Sequence, residues 1–194
     1  YREQRRGGQG KAAAAVKEED LIQNLYVLSS HVQILCFTTK GKVFWLKVYE
    51  IPVASRISKG RPLVNMLNLD DDERVSEILP VEEFSDKHFI FMATRKGITK
   101  KTNLSLFARK WKSGIKAINL DDDDRLIGTA ITDGSKEILL ASSAGKLIRF
   151  KESKVRAMGR TARGVKGIKL KKGQRLISLN VADSAKTILC VSEN

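Results

Sequence analysis

The most concentrated chemistry in this chain lies near its start, where Gln4, Arg5, Arg6, Gly7, Gly8, Gln9 and Gly10 run directly into Lys11. Arginine presents a planar fork of donors that stays charged, and glycine lets the main chain come close enough for its own N–H groups to join the contact. Two guanidinium groups among three glycines therefore suit the grip of a phosphate backbone. The same composition also suits a basic tail, so its meaning depends on the elements that follow.

Those elements belong to a strongly basic chain, with 36 Lys+Arg against 22 Asp+Glu and a formal net charge of +14. Such a balance favours a polyanionic partner, nucleic acid or an anionic surface. No apolar run approaches the ~20 residues of a spanning helix, and no signal-peptide core follows the basic start, so the expectation is a cytoplasmic protein without a membrane partner. Cys36 and Cys190 sit in the apolar runs QILCFT and TILCVS, where thiols behave as small hydrophobes. Neither they nor His31 and His88 have metal-ligand spacing, and no metal site is expected. Catalytic signatures are missing too. GGQGKA (residues 7–12) lacks the Ser/Thr that closes a P-loop, and there is no G-x-S-x-G elbow or His-based triad.

The architecture emerges when the apolar runs are stacked on their glycines. ILCFTTKGKVFWLK (34–47), IFMATRKGITKKT (90–102) and ILLASSAGKLIRFK (138–151) align, and TILCVSEN (187–194) begins a fourth copy. Each has an apolar run, a small hydroxyl residue, a dipeptide ending in Gly41, Gly97 or Gly145, and a second run. This predicts β-hairpins, with glycine accepting the positive φ of a type I′ turn. A second half follows each hairpin: LVNMLNLDDDERVSEILPV (63–81), GIKAINLDDDDRLIGTAIT (114–132) and GVKGIKLKKGQRLISLNVA (164–182), read as two more strands joined by a polar turn. Arg74, Arg125 and Arg175 mark the register, 51 and 50 residues apart. The predicted fold is all-β: a propeller-like array of four-stranded blades at 31–82, 83–133 and 134–183, preceded by a segment at 1–30 and followed by one strand of a fourth blade at 184–194.

Charge is in phase with this repeat. Lys40 to Arg61 holds six basic residues and one acid, Arg95 to Lys116 eight and none, and Lys151 to Arg175 ten and one. The acids collect at Asp70 to Glu73 and Asp121 to Asp124. The expectation is a basic edge that recurs with the blade, with acids on another edge, suited to a long, curved polyanion held by its backbone. The aspartate runs read as solvated turns. Phe44 and Trp45 fall within a strand and read as core, whereas Trp111, between Lys110 and Lys112, is the aromatic best placed to stack on a base.

Taken together, these residues resemble a known family, the C-terminal DNA-wrapping domain of the bacterial DNA gyrase A subunit. QRRGGQG is similar to the GyrA box, QRRGGKG, and KGKVFWLKVYEIP, GRPLVNMLNL, FMAT, TDGS, GKLIRFKES and VRAMGRTARGVKGI look like the phrases that follow it. The one departure in the box is Gln9 in place of lysine. The resemblance implies a β-pinwheel of six blades, of which this chain holds about half. It implies that the perimeter bends duplex DNA around itself with positive handedness, so that the holoenzyme introduces negative supercoils. Cleavage would belong to a tyrosine of another domain, since Tyr1, Tyr26 and Tyr49 have no matching context, and ATP and Mg2+ would be used elsewhere in the holoenzyme. The implied partners are duplex DNA and, in a heterotetramer at the nucleoid, the rest of the gyrase A subunit with the gyrase B subunit. Gln4, Arg5, Arg6, Gly7, Gly8, Gln9, Gly10 and Lys11 would clamp the DNA, with Arg56, Lys59, Arg61, Arg109, Lys110, Lys112, Arg160, Arg163 and Lys166 tracking phosphates along the blade edges. The alternatives are the related C-terminal domain of the topoisomerase IV C subunit, which lacks an intact box, and a propeller that scaffolds protein partners.

Overall fold

The computed structural model describes residues 6, 24–55, 58, 60–182 and 187. Its strands are β1 (Gln33–Thr38), β2 (Lys42–Lys47), β3 (Val75–Val81), β4 (Phe89–Thr94), β5 (Ile98–Asn103), β6 (Ile115–Lys116), β7 (Leu126–Thr132), β8 (Glu137–Ser142), β9 (Leu147–Lys151), β10 (Val165–Lys166) and β11 (Leu176–Ala182). They form antiparallel sheets in the orders β3-β1-β2-β6, β10-β5-β4-β7 and β11-β8-β9. The expected all-β array of blades is therefore present, and its fourth-copy strand at 184–194 lies outside the described residues apart from residue 187.

Two-residue periodicity explains how the blades stack. Along β1, Leu35 and Phe37 face one core while Ile34 and Cys36 face another. Along β4, Ile90 and Met92 join the first of these cores, and Phe91 and Ala93 enter the next, with Ile138 and Leu140. A strand buried on both faces has no polar side to show, which is why QILCFT and FIFMAT read as continuous apolar runs.

Two local readings are corrected. Among the described residues no non-glycine has positive φ, so the hairpins cannot turn through type I′, which needs two such residues. Gly41, Gly97 and Gly145 alone sit at φ +73°, +82° and +70°, and their N–H groups donate to the carbonyls of Thr38, Thr94 and Ser142 at 2.9, 2.9 and 3.1 Å. These are type I turns closed by a left-handed glycine. The turn also explains the recurrent hydroxyl. Thr38, Thr94 and Ser142 accept the N–H of Lys42, Ile98 and Lys146 at 3.2, 3.3 and 3.2 Å, where each return strand begins.

The second correction concerns the later half of each unit. In the first unit only β3 forms of the two predicted strands, since Leu63–Met66 is a 3-10 helix, and in the other two units the two strands do not pair with each other. β7 returns beside β4 of its own blade, but β6 crosses to the preceding sheet and pairs with β2, Ile115 opposite Val43 and Lys116 opposite Lys42. β10 does the same to β5. The crossing satisfies an otherwise unpaired strand edge. The Gly41 carbonyl accepts the N–H groups of Ala117 and Ile118 at 2.8 and 3.2 Å, and Gly97 repeats this with Gly167 and Ile168 at 2.8 and 3.3 Å.

Candidate nucleic-acid interface

Because β6 and β10 belong to the preceding sheet, the chain before them must bridge two blades. Residues 104–114 cross from β5 to β6, and residues 152–164 from β9 to β10. Five of the nine expected phosphate-tracking residues, Arg109, Lys110, Lys112, Arg160 and Arg163, fall on these crossings. Arg109, Lys110 and Lys112 are exposed on the first, Arg163 and Lys166 are exposed on the second or in β10, and Arg160 is half-buried. Arg61 is exposed in the first unit, while Arg56 and Lys59 lie outside the described residues. The second crossing lies directly on the strand beneath it. Gly164 has φ +101°, and a Cβ there would stand 2.5 Å from the Thr99 carbonyl oxygen, so only glycine fits.

Trp111 is half-exposed, with the Arg109 guanidinium 4.8 Å from its ring centroid. Together with Lys110 and Lys112 it lines a groove of about 430 Å³ floored by Phe44 and Met66. An aromatic face amid three cations can stack on a base or sugar while the cations hold phosphates. Trp45 is held as structure, its indole N–H donating to the Phe107 carbonyl at 2.8 Å.

Two lysines counted in the basic blocks are buried. Lys100 is fully buried on β5, and its ammonium donates to the carbonyl of Ala117 at 2.7 Å and to that of Arg160. Burial, and after it the Arg160 charge, lowers its pKa to about 7. Lys101, on the opposite face, donates to the Glu152 carbonyl at 3.2 Å and lies 4.0 Å from the Glu152 carboxylate. Glu152 is itself buried and accepts from Thr132 Oγ1 at 2.7 Å and Lys136 N at 2.8 Å. These residues pin the second basic crossing to the blade below. Counting charge by blocks hid them, yet one signal was present: three residues past Gly41, Gly97 and Gly145 stand Phe44, Lys100 and Ile148, a lysine in an apolar column.

The expected separation of acids from bases also fails at the hairpin turns. Lys42 pairs with Asp70 at 2.9 Å and Glu73 at 3.4 Å, Lys40 pairs with Asp72, and Lys96 with Asp123. β3 and β7 return beside β1 and β4, which delivers the acidic turns to the hairpin lysines. On the second crossing, Arg163 pairs with Asp121 at 2.5 Å. Cys36 is buried and its thiol is pushed up to about 12 by desolvation, which keeps it unreactive. His31 and His88 are exposed, and the described residues hold no cluster of metal ligands. Of the box, Arg6 is exposed, and Gln4, Arg5, Gly7, Gly8, Gln9, Gly10 and Lys11 lie outside the described residues, as does Cys190.

A family model described as the DNA gyrase C-terminal domain, beta-propeller, matches residues 1–29, 33–82, 88–133 and 136–183. The DNA gyrase A subunit of Salmonella typhimurium is 54% identical over 164 residues, which is 84% of this chain and 19% of that protein. Its counterpart from Haemophilus influenzae gives the same figures, and that from Escherichia coli K12 is 51% identical. The chain thus spans about a fifth of the length of these relatives. Among solved structures, the C-terminal domain of DNA topoisomerase IV superposes with a TM-score of 0.81 at 30% identity, covering 89% of this chain and 54% of that one. A DNA gyrase A C-terminal domain superposes at 0.65 and 23% identity, covering 79% and 49%. The backbone is nearer the topoisomerase IV domain, but the sequence is much nearer the gyrase A proteins, 54% against 30%. With the box string and the family model pointing the same way, the chain belongs to the DNA gyrase C-terminal domain family.

Proposed function

We propose that this chain binds duplex DNA without sequence preference, bends it and wraps it around the rim of the blades, as the C-terminal domain of a gyrase A subunit. The observation that carries this reading is the placing of Arg109, Lys110 and Lys112 on one crossing between blades, and of Arg160 and Arg163 on the next, with Lys166 in the strand that follows it. Cations that recur once per blade supply phosphate contacts at regular intervals along a curved path. Smooth bending of a short duplex costs about 1–6 kcal/mol, and counterion release from neutralised phosphates offsets it. The box around Arg5 and Arg6 fastens the DNA end in this scheme.

In the holoenzyme, the wrapped segment is presented for strand passage, with cleavage and the use of ATP and Mg2+ carried out by the rest of the A subunit together with the B subunit. The setting is the nucleoid in the bacterial cytoplasm. Binding of a duplex by the chain, measured between about 50 and 200 mM salt, is expected to weaken about 1,000-fold or more. Affinity that hardly changes over that range overturns the proposal and leaves the protein-scaffold alternative.

A further inference from the structure

Each blade carries the same pair of turns, a hairpin turn backed by a polar turn. The N–H groups of Thr39, Arg95 and Ser143 donate to the carbonyls of Arg74, Arg125 and Arg175, each at 2.8 Å. Within the polar turns, the N–H groups of Glu73, Asp124 and Gln174 donate to the carbonyls of Asp70, Asp121 and Lys171 at 2.9, 3.0 and 3.0 Å. Neighbouring pairs are linked, Leu126 N–H to the Thr39 carbonyl at 3.0 Å and Leu176 N–H to the Arg95 carbonyl at 2.8 Å. The turns therefore form one continuous row. Arg163 of the second crossing reaches this row at Asp121, so the row borders the crossing loops.

The scaffold is constant and the charge is not. Residues 39–42 with 70–74 hold three cations and four acids, as do 95–98 with 121–125. Residues 143–146 with 171–175 hold four cations and no acid. The side chain that shapes the turn changes accordingly. Glu73 accepts the Asp70 N–H at 3.3 Å and Asp124 the Lys96 N–H at 2.9 Å, whereas in the third blade the uncharged Gln174 accepts the Lys171 N–H at 2.9 Å. In the first two blades the hairpin lysines are neutralised by Asp70, Asp72 and Asp123. In the third, Lys146, Lys171, Lys172 and Arg175 are exposed and form no ion pair among the described residues.

We infer that the turn row of the third blade is a further phosphate-backbone site for duplex DNA, formed by Lys146, Lys171, Lys172 and Arg175, which the acids deny to the first two blades. The inference rests on the DNA-binding reading above. Acidic turns repel a phosphate and tie up the lysines that could attract it, so on the first two blades the duplex is confined to the crossing loops. At the third blade it gains contacts on the turn row, and the wrapped path tilts across the rim there instead of circling it evenly.

The test compares the chain with K171Q/K172Q and with K171D/K172D, which puts acids at exposed positions and brings this turn pair from +4 to 0, near the −1 of the other two. Binding to a duplex long enough to span three blades is followed against salt, with a hydroxyl-radical footprint of the complexes. The inference expects the slope of log affinity against log salt to shrink by about 2 in the glutamine variant, since each lost phosphate contact removes about 0.9. It expects a larger loss in the aspartate variant, with protection vanishing at one end of the footprint. A steep wild-type slope that both variants retain, with an unchanged footprint, overturns this site alone. A wild-type chain with no salt slope overturns the DNA reading itself.

Discussion

The ammonium of Lys100 reaches across a blade boundary to the carbonyl of Ala117 at 2.7 Å, and the same group holds the carbonyl of Arg160. One buried side chain thus ties β5 to the segment that follows β6 and to the basic crossing of the next unit. Replacing it by methionine keeps the apolar stem and leaves two carbonyls without their donor. Lys100→Met is expected to cost about 1–3 kcal/mol in urea unfolding. A variant as stable as the parent would show that the tie carries no weight.

The depressed pKa of Lys100 gives this site a pH signature. Its folded value is about 7 against an ordinary 10.5. Between those limits the unfolded chain holds a proton that the folded chain has released, so stability contributed by this group rises with pH across that window. Below about 7 both states are protonated and its contribution is flat. The slope is at most about 1.4 kcal/mol per pH unit. The stability difference between the parent and Lys100→Met, measured from about pH 6 to about pH 9, should therefore shift in favour of the parent above neutrality. A difference that stays level means that the ammonium is solvated after all.

Hairpin glycines offer a comparison within one molecule. Gly97 and Gly145 share φ near the left-handed region, +82° and +70°. A Cβ on Gly97 would stand 2.8 Å from Ile168 Cγ2 and 2.9 Å from the Ile168 carbonyl oxygen, while one on Gly145 meets nothing within 4 Å. Gly145→Ala should cost only the backbone strain of about 1–2 kcal/mol. Gly97→Ala should cost clearly more in denaturant unfolding, because it also displaces the crossing segment from its blade. Equal losses would show that the crossing contributes little to stability.

The hairpins and their stacking were legible in the sequence because both faces of β1 and β4 are buried, and burial on two faces leaves continuous apolar runs between turn residues. Arg74, Arg125 and Arg175 marked a true equivalence, since each carbonyl accepts the same hairpin N–H. The turn type was not legible, because a glycine with positive φ serves both type I′ turns and type I turns with a following bulge. β6 and β10 escaped as crossings because two residues have no readable period, and pairing with a neighbour about 70 residues upstream has no local sign. The acidic turns looked separate from the lysines because ~30 residues divide Asp70 from Lys42 in sequence, although the ion pair is 2.9 Å in space. Basic residues on the crossings were found by their phase with the repeat, and Lys100 and Lys101 were missed because a block count does not ask which face of a strand a lysine occupies.

The box and the crossing loops should separate in function. Arg5→Ala with Arg6→Ala is expected to abolish wrapping while much of the affinity for duplex DNA survives, because the blade rim still supplies phosphate contacts. A gel-shift titration run beside a DNA-circle assay measures the two quantities. Parallel loss of both would make the box an ordinary part of the charged surface.

Wrapping itself leaves its mark on DNA topology. Nicked circles sealed by ligase in the presence of increasing amounts of the chain, then stripped of protein, keep a record of any handed wrap. A duplex carried around the blade rim with positive handedness shifts the linking-number distribution toward positive values, in proportion to the protein added. Circles that are bound by the chain but seal with an unchanged distribution, or with a negative shift, would refute the wrap.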